Sequence, residues 1–278
     1  MRWVASALCM SLLACGEPPA PITDAGSDNI VILNPDGNVP PKDAGPPRLE
    51  EHDGITLQSM QLGIVYVGDA DAGAAPNEDV VLKWLLASPY WLNLDEYGIT
   101  NGNFVGSIHV PTSALVQPSD LDSMGLVDVL LLQSRIATAI SGDPDAGTAP
   151  ISLPGAQAYL FFLPDGLNVA LGHRGTYTYQ TCVDTFGYHG FDGVEPYTVL
   201  PPCDDGRSLY TASHELAEMA TDPQPYSGWA SDLDIGINGG EVADLCANFP
   251  GSLGPGRVMQ EGLIVTLLWS NKQNGCVP

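Results

Sequence analysis

His214, Glu215 and Glu218 stand together in the run His-Glu-Leu-Ala-Glu. Residues four apart lie one turn apart on the same face of a helix, so His214 and Glu218 can present an imidazole and a carboxylate to one ion. The pattern is that of the metal-binding helix H-E-x-x-H with its second histidine replaced by glutamate. A carboxylate is an acceptable zinc ligand, and it makes the site harder and more negative, which admits calcium or manganese as rivals. Glu215, directly after the first ligand, is positioned to act as general base toward water. Further along, Glu241 and Asp244 offer carboxylates in Gly-Glu-Val-Ala-Asp-Leu-Cys. Upstream, His189 in Phe-Gly-Tyr-His-Gly is either a group that approaches the metal site, where it would stabilise an oxyanion, or one that hydrogen-bonds within its own loop.

A helix must carry this chemistry. Ser208 to Pro223 reads as about four turns, with Gly206 and Ser208 as start signals and Pro223 as the stop. Leu209, Ala212, Leu216, Ala217 and Ala220 recur at helical spacing on a packing side, opposite His214 and Glu218. Asp222 follows His214 by eight residues and is either an alternative third ligand or part of a turn before Pro223. Ahead of the helix, Gln61–Val67 reads as a buried strand. Asn77 caps a helix through Val80, Val81, Trp84 and Leu85 that Pro89 ends, and Asn103–Val110 is a second strand. Ser119 and Asp120 begin a helix that runs to about Ile140. Ala158–Leu163 and Asn168–Leu171 are strands joined by the turn Pro164-Asp165-Gly166. Residues 173–203 read as a long irregular loop, functional or pinned by a disulfide. Tyr90, Trp91 and Tyr97 form an aromatic patch expected in the core. Alternating strands and helices before a central helix predict an α/β (α+β) domain with one mixed sheet.

The ends of the chain set its address. Residues 1–15 have a positive Arg2, an apolar run Val4–Leu13 and the lipobox Leu12-Leu13-Ala14-Cys15, so they read as a lipoprotein signal with Cys15 as the lipidated residue. Gly16 after it favours the outer membrane or cell surface. Residues 16–55 are rich in Pro, Gly and Asp and read as a disordered tether. Residues 56–278 then form a single domain, long enough to bury a substantial core. Cys182, Cys203, Cys246 and Cys276 remain in the exported part. An even number there implies two disulfides, and of three connectivities the sequential one, Cys182–Cys203 with Cys246–Cys276, is expected. With 9 basic against 33 acidic residues, a formal charge of −24 makes nucleic acid and anionic membrane surfaces poor partners. The expected state is a monomer that meets the membrane only through its N-terminal lipid.

The block His-Glu-Leu-Ala-Glu-Met-Ala-Thr-Asp-Pro, Trp229 and Gly-Glu-Val-Ala-Asp-Leu-Cys resembles the core of the phosphate-induced, EXORDIUM-like proteins in their bacterial form. Gly-Tyr-His-Gly around His189 is similar to the Gly-Trp-His element ahead of that block. Ile-Val-Tyr-Val-Gly-Asp from Ile64 resembles the family's first strand. The resemblance spans about residues 60–250 and is specific from 213 to 246. Together with the zincin pattern it implies a zincin-like domain with a central active-site helix. By likeness to gluzincins, Glu241 becomes the third metal ligand after His214 and Glu218. Asp244, and in the alternative Asp222, would support the ligands from behind.

Two functions fit this reading. The first is an exported zinc-dependent hydrolase, most simply a peptidase acting on a peptide or on a cell-wall or matrix component, with Glu215 as base and His189 at the oxyanion. The second is a non-catalytic cell-surface protein of the EXORDIUM type that keeps the same residues as a structural or vestigial metal site.

Overall fold

The computed structural model describes residues 48–68, 75–142, 150–151, 153–174, 177–203, 209–225, 227–231, 240–247, 250–251 and 254–278. The signal segment with Cys15, most of the tether and the helix-start signals Gly206 and Ser208 lie outside the described residues.

Five strands form the central sheet: β2 (Gln61–Val67), β3 (Asn103–Val110), β5 (Ala158–Phe162), β8 (Tyr188–Phe191) and β9 (Pro196–Leu200). Their order is β3-β2-β5-β9-β8. The first four run parallel, while β8 returns antiparallel along β9, so the sheet is mixed. Because side chains alternate between faces, Leu62, Ile64, Tyr66, Ala158, Leu160 and Phe162 face one side. That side is covered by α1 (Ala75–Ala87) through Leu82, Leu85 and Leu86, and by α3 (Leu209–Thr221) through Ala212, Leu216, Ala217 and Ala220. Val65, Val67, Tyr159, Phe161, Tyr197 and Val199 face the other side, against Leu132, Ile136 and Ala139 of α2 (Val129–Ser141). The sheet is buried on both faces, which explains why β2 and β5 read as unbroken apolar runs. Tyr90, Trp91 and Tyr97 are core residues.

Several expectations are corrected. Asn77 does not cap the first helix but lies inside it, since α1 begins at Ala75. The helix expected from Ser119 begins only at Val129. Leu126–Asp128 is instead a strand, β4, paired with β6 (Asn168–Arg174), which in turn pairs with β7 (Tyr177–Gln180). The helix starts where it does because Asp128 caps it, its carboxylate accepting from the backbone N–H groups of Leu130 and Leu131. Residues 173–203 are not irregular either: they contain β7, β8 and β9, and β9 is interior to the sheet.

The chain joins the domain ahead of residue 56. Glu50–Glu51 (β1) pairs with Trp229–Ala230 (β10), and Leu49 is buried. The C-terminal part adds short pairings: β11 (Pro250–Gly251) with β12 (Gly254–Pro255), β13 (Arg257–Gln260) with β14 (Leu263–Thr266), and β15 (Leu268–Ser270) with β16 (Gly275–Val277). Of these, β14 lies along α3, where the Thr266 N–H donates to Ser213 Oγ at 3.0 Å. The side of α3 away from the sheet is thereby covered as well, so the helix is buried nearly all round. The disulfides are Cys182–Cys203 and Cys246–Cys276, as befits a chain that folds in an oxidising compartment. No helix among the described residues is long and apolar enough to cross a membrane.

Candidate metal centre

Three segments converge on one polar cluster. The central helix α3 brings His214, Glu215 and Glu218. The edge strand β8 brings His189, and the segment 240–247 brings Glu241 and Asp244.

The register of β8 puts His189 there. It stands opposite Thr198 of β9, and Thr198 donates to Met219 Sδ of α3, so this position faces the helix. Its neighbour Tyr188 turns to the other core. Close approach of strand and helix depends on Gly187. A β-carbon at that position would come within 2.9 Å of Leu200 and 3.0 Å of both Glu215 and Thr211. Cys182–Cys203 closes the loop that carries β8 and β9, and Cys246–Cys276 ties the segment with Glu241 and Asp244 to β16. Each disulfide thus clamps one of the two segments that meet α3.

The imidazole of His189 is wholly buried. Its Nε2 lies 3.2 Å from the carbonyl oxygen of Asp222 and 3.2 Å from Glu241 Oε1. Its Nδ1 lies 3.6 Å from Glu215 Oε2 and 3.9 Å from Glu218 Oε2. Nδ1 is thus turned to Glu215 and Glu218, and Nε2 to the Asp222 carbonyl and Glu241. His214, whose side chain is 13% exposed, sets its Nε2 3.2 Å from Glu218 Oε1 and 3.3 Å from Asp244 Oδ1. Glu218 Oε1 also accepts the backbone N–H of Asp244 at 3.0 Å.

Among the described residues, two groups of three can hold a metal ion: His189, Glu218 and Glu241, all buried, and His214, Glu218 and Asp244, at the cluster's outer rim. Within each group one ligand atom per residue lies within 4.8 Å of the others. Donor chemistry and burial both fit a divalent cation. Glu218 Oε2 and both oxygens of Glu241 are buried and accept no hydrogen bond among the described residues. Buried carboxylates in that state are costly unless a cation or a proton joins them. Without a cation, burial favours the protonated form. Burial pushes Glu218 well above the usual carboxylate range, with Asp244 and Glu241 adding to the rise and His214 opposing it. Burial pushes Glu241 up to about 8, against the pull of His189.

The structure therefore brings His189, His214, Glu215, Glu218, Glu241 and Asp244 together, in a grouping the spacing did not give. Glu241 goes with His189, whereas His214 goes with Asp244. Asp222 contributes its backbone carbonyl to His189. Its carboxylate accepts from the N–H groups of Ser227 and Gly228, holding the turn after α3. Comparison with models of protein families, with characterised proteins and with solved structures finds no match.

Proposed function

We propose that this chain is an exported metal-dependent hydrolase, most simply a zinc peptidase, with its ion on His189, Glu218 and Glu241. The observation that carries the reading is the pair of wholly buried carboxylates, Glu218 and Glu241, whose open oxygens converge beside an imidazole. A divalent cation bound there would lower the pKa of water and polarise a carbonyl. Glu215 is the proton acceptor: its Oε2 lies on the Nδ1 side of His189, as does Glu218 Oε2. The Asp222 carbonyl holds the His189 ring in place. The partly exposed His214 edge is the side from which substrate approaches. The lipobox at Cys15 adds that the enzyme is held at a membrane by its N-terminus. Cys15→Ser should release it to the soluble fraction, and a variant still found with membranes argues against the anchor.

The test uses purified protein, a mixture of quenched fluorescent peptides and a chelator. Zn2+ should co-purify, and hydrolysis should vanish on chelation and return with Zn2+. Glu215→Gln should keep the metal and lose activity by about 10²–10⁴-fold. A second reading, a structural metal site in a non-catalytic surface protein, is favoured by the complete burial of His189, Glu218 and Glu241. Bound metal with no hydrolysis of any peptide, and no change in behaviour in Glu215→Gln, would establish that reading instead.

A further inference from the structure

Glu218 belongs to both three-residue groups, and its two oxygens face different histidines. Oε1 is turned to His214 Nε2 at 3.2 Å, while Oε2 is turned to His189 Nδ1 at 3.9 Å. Each histidine has a further carboxylate of its own beside it: Glu241 by His189, and Asp244 by His214. The donor set is thus doubled about one residue, with one imidazole and one private carboxylate on either side of a shared carboxylate. A carboxylate that presents one oxygen to each of two ligand sets is the bridge found in two-metal hydrolytic sites, where the ions stand about 3.5–4 Å apart.

We infer that the cluster holds two divalent cations bridged by Glu218, the second on His214, Glu218 and Asp244. This extends the hydrolase reading and rests on it for the inner ion. Open buried oxygens support the inner position, and an imidazole set beside two carboxylates supports the outer one. The bridging residue is wholly buried and its Oε2 accepts no hydrogen bond among the described residues. Neither oxygen of Glu241, the private carboxylate of the inner set, accepts one either. The outer set includes an imidazole whose Nε2 already faces both of its carboxylates at 3.2–3.3 Å, a spacing at which an ion can sit between them at ordinary ligand distances of about 2.0–2.2 Å. The two positions are unequal. The inner one is enclosed on all sides, whereas the outer one is bordered by His214, the partly exposed member of the cluster. The inner ion should therefore exchange slowly and the outer one readily, so that the outer ion is the one a substrate oxygen meets.

The experiment strips the full chain with a chelator and titrates it with Zn2+ by calorimetry and elemental analysis. Two ions per chain are expected, one released to a mild chelator well before the other. His214→Ala and Asp244→Asn should each leave one slowly exchanging ion. His189→Ala and Glu241→Gln should each remove that slow ion. Glu218→Ala should weaken both. Circular dichroism checks that every variant is folded. The unmutated chain loaded with Mn2+ supplies a readout that no variant's folding can confuse: a spin-coupled spectrum. A single ion per chain at saturation, or uncoupled Mn2+ in the doubly loaded chain, overturns the bridged pair; the single-ion hydrolase stands where that ion needs His189 and falls where it needs only His214. No bound ion at all sinks the hydrolase reading as well.

Discussion

At the scale of single residues, Glu218 and Glu241 make the metal-free domain sensitive to pH. A carboxyl raised by burial holds its proton in the folded chain at pH values where the unfolded chain has lost it. Its burial costs little below the ordinary value of 4.5, and the cost grows as pH rises toward about 8 for Glu241. Stability of the chelated protein should therefore fall across that window, as thermal unfolding between pH 5 and 8 would reveal. Saturating Zn2+ should flatten the profile, because the cation replaces the proton. Glu241→Gln should make it shallower without metal, leaving the part due to Glu218, while weakening Zn2+ binding at least tenfold. An equally steep profile in Glu241→Gln would show that Glu241 is not the source.

At the scale of elements, the chemistry of α3 was legible because helical spacing alone puts His214 and Glu218 on one face. Which partners they meet was not, because that is set by contacts distant in sequence. His189 reaches the helix only through the pairing of β8 with β9, and a four-residue strand between Gly187 and Asp192 has too little pattern to stand out from a loop. Pro196–Leu200, with alternating faces and a β-branched pair, did carry a strand signal that the surrounding Gly, Tyr and His obscured. Asp128 was a visible helix cap, overlooked because Ser119 and Asp120 offered an earlier one. Apolar runs such as β2 and β5 were read from their own residues because burial on both faces leaves a continuous signature.

The elements also make predictions. Gly187→Ala should force β8 away from α3 at Glu215 and destabilise the domain by about 1–3 kcal/mol. Metal affinity should fall with it, since His189 moves with the strand. Unchanged affinity in a destabilised Gly187→Ala would mean that His189 is not a ligand. Reduction of the two disulfides should cost about 2–5 kcal/mol each. It should also loosen metal binding before global unfolding, because both bridges clamp ligand-bearing segments and neither crosses the sheet. Metal release and unfolding that coincide over a series of reductant concentrations would contradict this.

At the scale of the whole molecule, the stretch from Leu49 to Leu57 is stitched into the domain. The Leu49 backbone N–H donates to Asn271 Oδ1 and its carbonyl accepts from Asn271 Nδ2. His52 and Gly54 donate their N–H groups to the carbonyls of Gly228 and Ser227, and Leu57 donates to that of Ala220, the penultimate residue of α3. Removing residues 1–47 should leave stability and metal binding unchanged, whereas removing residues 1–55 should lower both, as unfolding and titration of the two truncated proteins would measure. Equal behaviour of the two would show that β1 contributes nothing.

That seam also has a mechanical meaning. A pull on the chain ahead of Arg48 is borne first by the Leu49 bonds to Asn271 and the two-residue pairing of β1 with Trp229–Ala230, not by the five-stranded sheet. From there it passes to Ser231, whose N–H donates to the carbonyl of Gly240, immediately before Glu241. Tension from outside the domain is thus delivered next to Glu241, a ligand of the proposed ion. In a single-molecule experiment that stretches the chain from its N-terminal end, the first yield should be a small extension that releases bound metal, well below the force that unravels the sheet.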